Sequence, residues 1–168
     1  MIRVAESQDI SEIARIHAQG WHNSYNTLLP KHILEKTDHQ SMLKKWQNWF
    51  ISNSQEIHII VENNDIVGFV HTCMPRQIQY PPQGFGELHH LYLTESCIGR
   101  EIGHKLFEHA ICQLKSNGYN GMLLWTLEGN SQAKAFYESH GMSLDGARRD
   151  DPDWLGPDIF EVRYCLPF

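Results

Sequence analysis

No apolar run in the 168 residues approaches the roughly 20 that a membrane span requires. The opening stretch "MIRVAESQDISEIARI" also lacks the basic-then-apolar order of a secretory signal, so a cytoplasmic protein with no membrane partner is expected. Cysteine is sparse: the four residues, at 73, 97, 112 and 165, show neither C-x-x-C spacing nor the density of a disulfide scaffold, and buried free thiols are expected. Basic residues are outnumbered 14 to 20 by acidic ones, and the net charge of −6 argues against a nucleic-acid partner and for a cationic one. There is no G-x-G-x-x-G, no G-K-[ST] and no H-E-x-x-H, which removes the sequence signatures of dinucleotide, P-loop and zincin sites. Eleven histidines raise the question of a metal, but they are scattered without ligand spacing, so no metal is expected.

What is present suits one globular domain over residues 1–168, with 41% hydrophobic and 20% charged residues and no linker or repeat. "IRVA" reads as a strand. Asp9 and Glu12 have the spacing of a capping box, and Ile10, Ile13, Ala14, Ile16 and His17 then recur with helical period; Trp21 and Tyr25 extend that face before Pro30. A second helix follows Asp38, with Met42, Leu43, Trp46, Trp49 and Phe50 on its apolar side. "EIHIIVE" and "DIVGFVHTCM" form a hairpin across Asn63 and Asn64, "PRQIQYPPQG" is a loop, and "ELHHLYLT" is the next strand. Ile102, Leu106, Phe107, Ala110, Ile111 and Leu114 mark a helix that stops at Gly118, followed by an apolar strand "GMLLWTL". "NSQAKAFYESHG" is a short helix capped by Asn130 or Ser131, and "DIFEVRYCLPF" alternates as a final antiparallel strand. The order β-α-α-β-β-β-α-β-α-β-β predicts an α+β fold.

Gly99 and Gly103, in "GREIG", stand between a strand and a helix. A helix start offers unbonded N–H groups and a positive dipole end, and glycine lets a large anion come close to the backbone. Taken alone the pair reads more readily as punctuation than as a phosphate seat. The segment "NSQAKAFYESHGM" alters that balance. It resembles the N-x-x-A-x-x-F-Y-x-x-x-G-[FM] motif of the GNAT superfamily of acetyl-CoA-dependent N-acetyltransferases, with Asn130, Ala133, Phe136, Tyr137, Gly141 and Met142 in register. "HAQGWHNSYNTLLPKHIL" with "KKWQNWF" is similar to the N-terminal helices of many bacterial members, so the resemblance covers nearly the whole chain. The earlier family motif, [QR]-x-x-G-x-[GA], is departed from twice: Ile98 stands where Gln or Arg is usual, and Glu101 where Gly is usual.

The resemblance implies a mixed central sheet of about seven strands flanked by about four helices, with acetyl-CoA as co-substrate. It implies that Gly99, Arg100, Glu101, Ile102, Gly103 and His104 hold the pyrophosphate. Leu91, Tyr92 and Leu93 offer strand backbone to pantetheine, and Asn130, Ala133, Phe136 and Tyr137 line its arm. Tyr137 is the expected general acid for the departing thiolate. Glu87 is the expected base for an amine that arrives charged, with His89 or water as the alternative. By the two-residue strand period Glu87 shares a face with His89, Leu91 and Leu93, while His90 points away. Trp21, His22 and Tyr25 are expected at the acceptor, a primary amine of a small molecule, attacked directly in a ternary complex; Trp46 and Trp49 read as core. Arg148, Arg149, Asp150, Asp151 and Asp153 read as a solvated loop, one that would suit a polyamine if it lined the pocket, and an exposed final strand is open to homodimer pairing. The other readings are a protein N-terminal or lysine acetyltransferase, a non-catalytic acyl-CoA sensor and, with least support, a histidine-rich metal protein.

Overall fold

The computed structural model describes residues 1–53, 56–75, 82–151 and 155–168. The elements in chain order are β1 (Ile2–Val4), α1 (Ile10–Tyr25), α2 (Lys31–Leu34), α3 (His39–Asn53), β2 (Ile57–Glu62), β3 (Asp65–Cys73), β4 (Phe85–Leu93), α4 (Ile102–Ser116), β5 (Gly121–Leu127), α5 (Ser131–Ser139), β6 (Ser143–Asp150) and β7 (Phe160–Pro167). The strands form one sheet in the order β1-β2-β3-β4-β5-β7-β6, in which β4 and β5 are parallel and every other pair is antiparallel. This is the mixed α+β sheet of seven strands that the sequence predicts, with the short α2 added to the four expected helices.

Local chemistry explains most of the boundaries. Asn63 and Asn64 both take positive φ, 50° and 69°, as the tight β2–β3 hairpin requires. Asn130 caps α5 by accepting a hydrogen bond from the Ala133 N–H at 3.1 Å. The capping box lies three residues earlier than the sequence suggests. Asp9 accepts from the Glu6 N–H at 2.7 Å and from Arg3 at 2.7 and 3.0 Å, so its carboxylate is occupied before α1 begins.

The sheet is covered on both faces. On one, Ile102, Leu106, Phe107, Ala110 and Leu114 of α4 pack on Val70, Leu88, Met122, Leu124 and Tyr164. On the other, Ile13 and Ile16 of α1 with Met42 and Trp46 of α3 pack on Ile57, Ile59 and Phe69. Each such side chain, withdrawn from water, contributes about 1.5–3 kcal/mol, and the helical and strand periods of the sequence aim them at one another.

Three expectations about the periphery need correcting. The final strand is not exposed: β7 lies between β5 and β6, and the edges are β1 and β6, so the stated ground for a dimer is gone. Residues 148–150 belong to β6 rather than to a loop: they pair with Val162, Glu161 and Phe160 of β7, while Arg148 stacks on Phe160 at 3.5 Å and Arg149 reaches over β7 to Trp125 of β5 at 4.1 Å. Asp153, like 76–81 of the expected loop, lies outside the described residues. Of the thiols, Cys73, Cys97 and Cys165 are buried, but Cys112 is exposed on the outer side of α4.

Candidate active site

The site begins with an irregularity in β4. Thr72 pairs with Leu88 and His71 with His90, so His89 is an extra residue opposite the β3 ladder. One inserted residue reverses the facing of everything beyond it. Leu91 and Leu93 pack with the α4 core, as Leu88 does, whereas Tyr92 packs with the α1–α3 core. The expectation that Glu87 shares a face with Leu91 and Leu93 is therefore overturned. The exclusion of His90 falls with it: its ring lies 4.2 Å from that of His89 and 5.3 Å from that of Trp49, and both histidines line the same cleft.

After Glu87, just before the bulge, β4 and β5 part company. They pair only through Phe85–Glu87 and Gly121–Leu123, and a cleft of about 600 Å³ opens where the parallel ladder stops. The volume is that of an ordinary ligand site. One wall is β4 with Leu91, Tyr92 and Leu93, and the opposite wall is α5 with Asn130, Ala133, Phe136 and Tyr137.

At one end is the start of α4, where Gly99, Arg100, Gly103 and His104 line the cleft. Gly99 has φ +79°, and a Cβ built there would meet nothing within 4 Å, so the turn needs glycine for its backbone and faces open space. Among the described residues the first N–H of this turn bonded to an N-capping carbonyl is Lys105 to Glu101, at 3.0 Å. The preceding helical N–H groups are of the kind that receive anions. Arg100 is already paired with Glu62 at 3.0 Å. Glu101 is exposed at the N-cap and Ile102 is buried in the core, so neither side chain lines the cleft. The residues fit a phosphate-bearing group through main chain rather than through side-chain cations.

At the other end Glu87, 4% exposed, holds its Oε1 2.9 Å from the His89 Nδ1. Trp49 and Lys45 of α3 and Trp21 and Tyr25 of α1 complete this end. His22 is not among the lining residues, since the helix turns it away from the face that carries Trp21 and Tyr25. Trp46 is core as expected, 1% exposed, donating its indole N–H to His17 Nδ1 at 3.0 Å. Burial, then the Lys45 and His89 charges, push the His17 pKa down to about 3, so the ring is neutral and accepts that bond.

Three phenols meet in the middle. Burial raises the pKa of Tyr25, of Tyr92 and of Tyr137 above the usual tyrosine value, and Tyr25 is hydrogen-bonded with Tyr92 and with Asn130. Tyr137 packs against Phe107, Phe136 and Tyr164 while lining the cleft. Each phenol keeps its proton at neutral pH.

Sequence reasoning missed Trp125 and Glu161, and preferred a solvated loop for Arg149 and Asp151; all four line the cleft, from β5, β6–β7 and the segment between them. Arg149 reaches Glu161 at 2.7 Å. The alternation of β7 carried a faint signal for Glu161, but nothing in the chain order brings β6 beside it. Gly20, inside a helix, was the legible hint for Tyr92: a Cβ there would lie 2.4 Å from the Tyr92 ring, so α1 touches β4 at that point.

Comparison with known proteins agrees with this architecture. A probable N-acetyltransferase of Mycobacterium tuberculosis is 27% identical over 177 residues, covering 98% of this chain and 92% of that protein. The uncharacterized N-acetyltransferase YuaI of Bacillus subtilis is 24% identical over 165 residues, covering 96% and 84%. The crystal structure of the PaiA N-acetyltransferase of Thermoplasma acidophilum in complex with coenzyme A superposes with a TM-score of 0.75 at 18% identity, covering 100% of this chain and 98% of that one. Residues 18–142 match the Acetyltransferase (GNAT) family profile, and with the splayed β4–β5 cleft they identify the chain as a member of the GNAT family, an acetyl-CoA-dependent acyltransferase.

Proposed function

We infer that the protein acetylates a primary amine of a small, cationic and partly apolar molecule, by direct attack within a ternary complex. The observation that carries this reading is one continuous cleft with an anion seat at the start of α4 and a buried carboxylate–imidazole pair at the far end. Bound acetyl-CoA supplies a thioester, whose pyrophosphate suits the N–H groups around Gly99 to His104 and whose pantetheine amides suit the free edge of β4 at Leu91–Leu93.

The remaining steps belong to the chain. Glu87, with His89 beside it, takes a proton from the incoming ammonium, directly or through water, because an alkylamine of pKa near 10 attacks only when neutral. A backbone N–H of the unpaired β4 edge steadies the carbonyl oxygen as the C–N bond forms. Tyr137, protonated at neutral pH, donates its phenolic proton to the sulfur as the C–S bond breaks. Trp21 and Trp49 offer ring faces to a cation, and Glu87 and Asp151 give the acceptor end negative groups beside the Arg149–Glu161 pair.

The test is thiol release from acetyl-CoA across arylalkylamines, polyamines, aminoglycosides, amino acids and N-terminal peptides. Aromatic or polycationic amines are expected to lead, and peptides outpacing them would overturn the small-molecule reading. Tyr137→Phe should lower kcat about tenfold to a hundredfold with KM for acetyl-CoA within about threefold. Unchanged kcat would remove Tyr137 from the reaction.

A further inference from the structure

We propose that Cys73, Glu87 and His89 form a binding site for a thiophilic divalent ion of the zinc class at the floor of the acceptor end. The three residues converge for a topological reason. Cys73 and Glu87 are direct cross-strand partners on β3 and β4, and His89 is the bulged residue beside them. Their ligand atoms, one from each residue, all lie within 4.8 Å of one another. In a tetrahedral zinc site, neighbouring ligand atoms are about 3.3–3.6 Å apart, given bond lengths of about 2.0 Å to nitrogen or oxygen and 2.3 Å to sulfur. Glu87 Oε1 and His89 Nδ1 are 2.9 Å apart, in a contact that the ion would replace, and the 4.8 Å limit exceeds zinc spacing by only about 1–1.5 Å, within the reach of side-chain adjustment. Cys73 and Glu87 are buried and His89 is half-buried against the cleft, which leaves the fourth position for water on the open side.

The donor set selects the ion. Thiolate with imidazole and carboxylate favours zinc and its first-row neighbours over magnesium or calcium, which prefer oxygen alone. As the ion binds, Cys73 gives its S–H proton to solvent, the metal–sulfur bond forms, and metal-bound waters leave. No oxidant or reductant is needed. The consequence for catalysis rests on the proposed role of Glu87: an ion held there occupies the base, so zinc inhibits acyl transfer.

The experiment uses the full chain in a Cys112→Ser background, which removes the exposed thiol. Cobalt(II) is titrated while the near-ultraviolet thiolate-to-cobalt charge-transfer band is followed, and zinc competition is read from its loss. One equivalent with a thiolate band is expected, and Cys73→Ser should abolish the band. Cobalt bound at His104 and His140, whose ring nitrogens are 2.9 Å apart, carries no such band. Glu87→Gln should weaken zinc about tenfold or more while the band survives at saturation. In parallel, zinc should inhibit the wild type, and Cys73→Ser or Cys73→Ala should keep the basal rate and need about tenfold more zinc. Absence of a thiolate band overturns the site. A band without inhibition keeps the site and removes Glu87 as base. A band that survives Cys73→Ser places the ion elsewhere and overturns the proposal.

Discussion

Acid should unfold this protein through histidines that it buries neutral, and His58 is the residue on which to measure it. His58 of β2 is 5% exposed, and its ring lies 4.6 Å from that of His109 on α4. Among the described residues neither His58 Nδ1 nor His109 Nε2 has a hydrogen-bond partner. Burial, then the His109 charge, lower the His58 pKa from 6.5 to about 4, and burial lowers that of His109 too. On the other face of the sheet His17, 3% exposed, is held at about 3. Each folded pKa is below the unfolded one, so the unfolded chain takes up the proton first as the pH falls. Stability is complete above about pH 7 and drains away from about pH 6.5 down to the folded pKa. At pH 5, an imidazole of ordinary pKa in the unfolded chain has bound its proton, and neither folded ring has. The linkage amounts to about 2 kcal/mol for each, about 4 kcal/mol for the two, against a total stability of about 5–15 kcal/mol. His58→Leu removes one contribution. Urea unfolding at pH 7.5 and 5.0 should show a loss that is about 2 kcal/mol larger in the wild type than in the variant. Comparing two pH values within each protein cancels any packing change. Equal losses in the two proteins would refute the reasoning.

Further predictions follow from single contacts. Gly20→Ala places a Cβ 2.4 Å from the Tyr92 ring, so it should destabilise by about 1–3 kcal/mol despite better helix propensity, read as a lower Tm. Asn130→Asp keeps the oxygen that caps α5 and loses the amide donor, whereas Asn130→Ala loses both. If the amide serves the cofactor, both variants raise KM for acetyl-CoA, and only the alanine variant loses about 1 kcal/mol of stability. Glu101→Gln removes an exposed negative charge at the α4 N-cap and should tighten coenzyme A binding about two- to fivefold at low salt, fading at high salt. Calorimetry showing no change would mean that the side chain lies clear of the phosphates.

Much of the fold was legible because local rules and tertiary structure agree. The 3.6-residue period of α4, the Asn63–Asn64 turn and the Asn130 cap each state their conformation within a few residues, and the motif around Tyr137 carries the family with it. The site was legible only in its parts. The bulge at His89 defeats a period-two reading because nothing local distinguishes an inserted residue from its neighbours; the β3 register against β4 decides it. His22 was misplaced because one step along a helix turns a side chain by about 100°. Cys73 was invisible beside Glu87 because 13 intervening residues separate cross-strand partners.

The amino-acid order by itself determined the elements, the capping and turn residues, the two faces of the helices and the family. Those properties depend on neighbours a few positions away, where backbone geometry is nearly fixed. Only the tertiary structure decided that β7 is interior, that β4 and β5 separate after Glu87, and that Arg149, Asp151 and Glu161 join the cleft. Those outcomes depend on strand order and register, which are set when distant apolar faces are buried together and the backbone ladder is satisfied across the whole sheet.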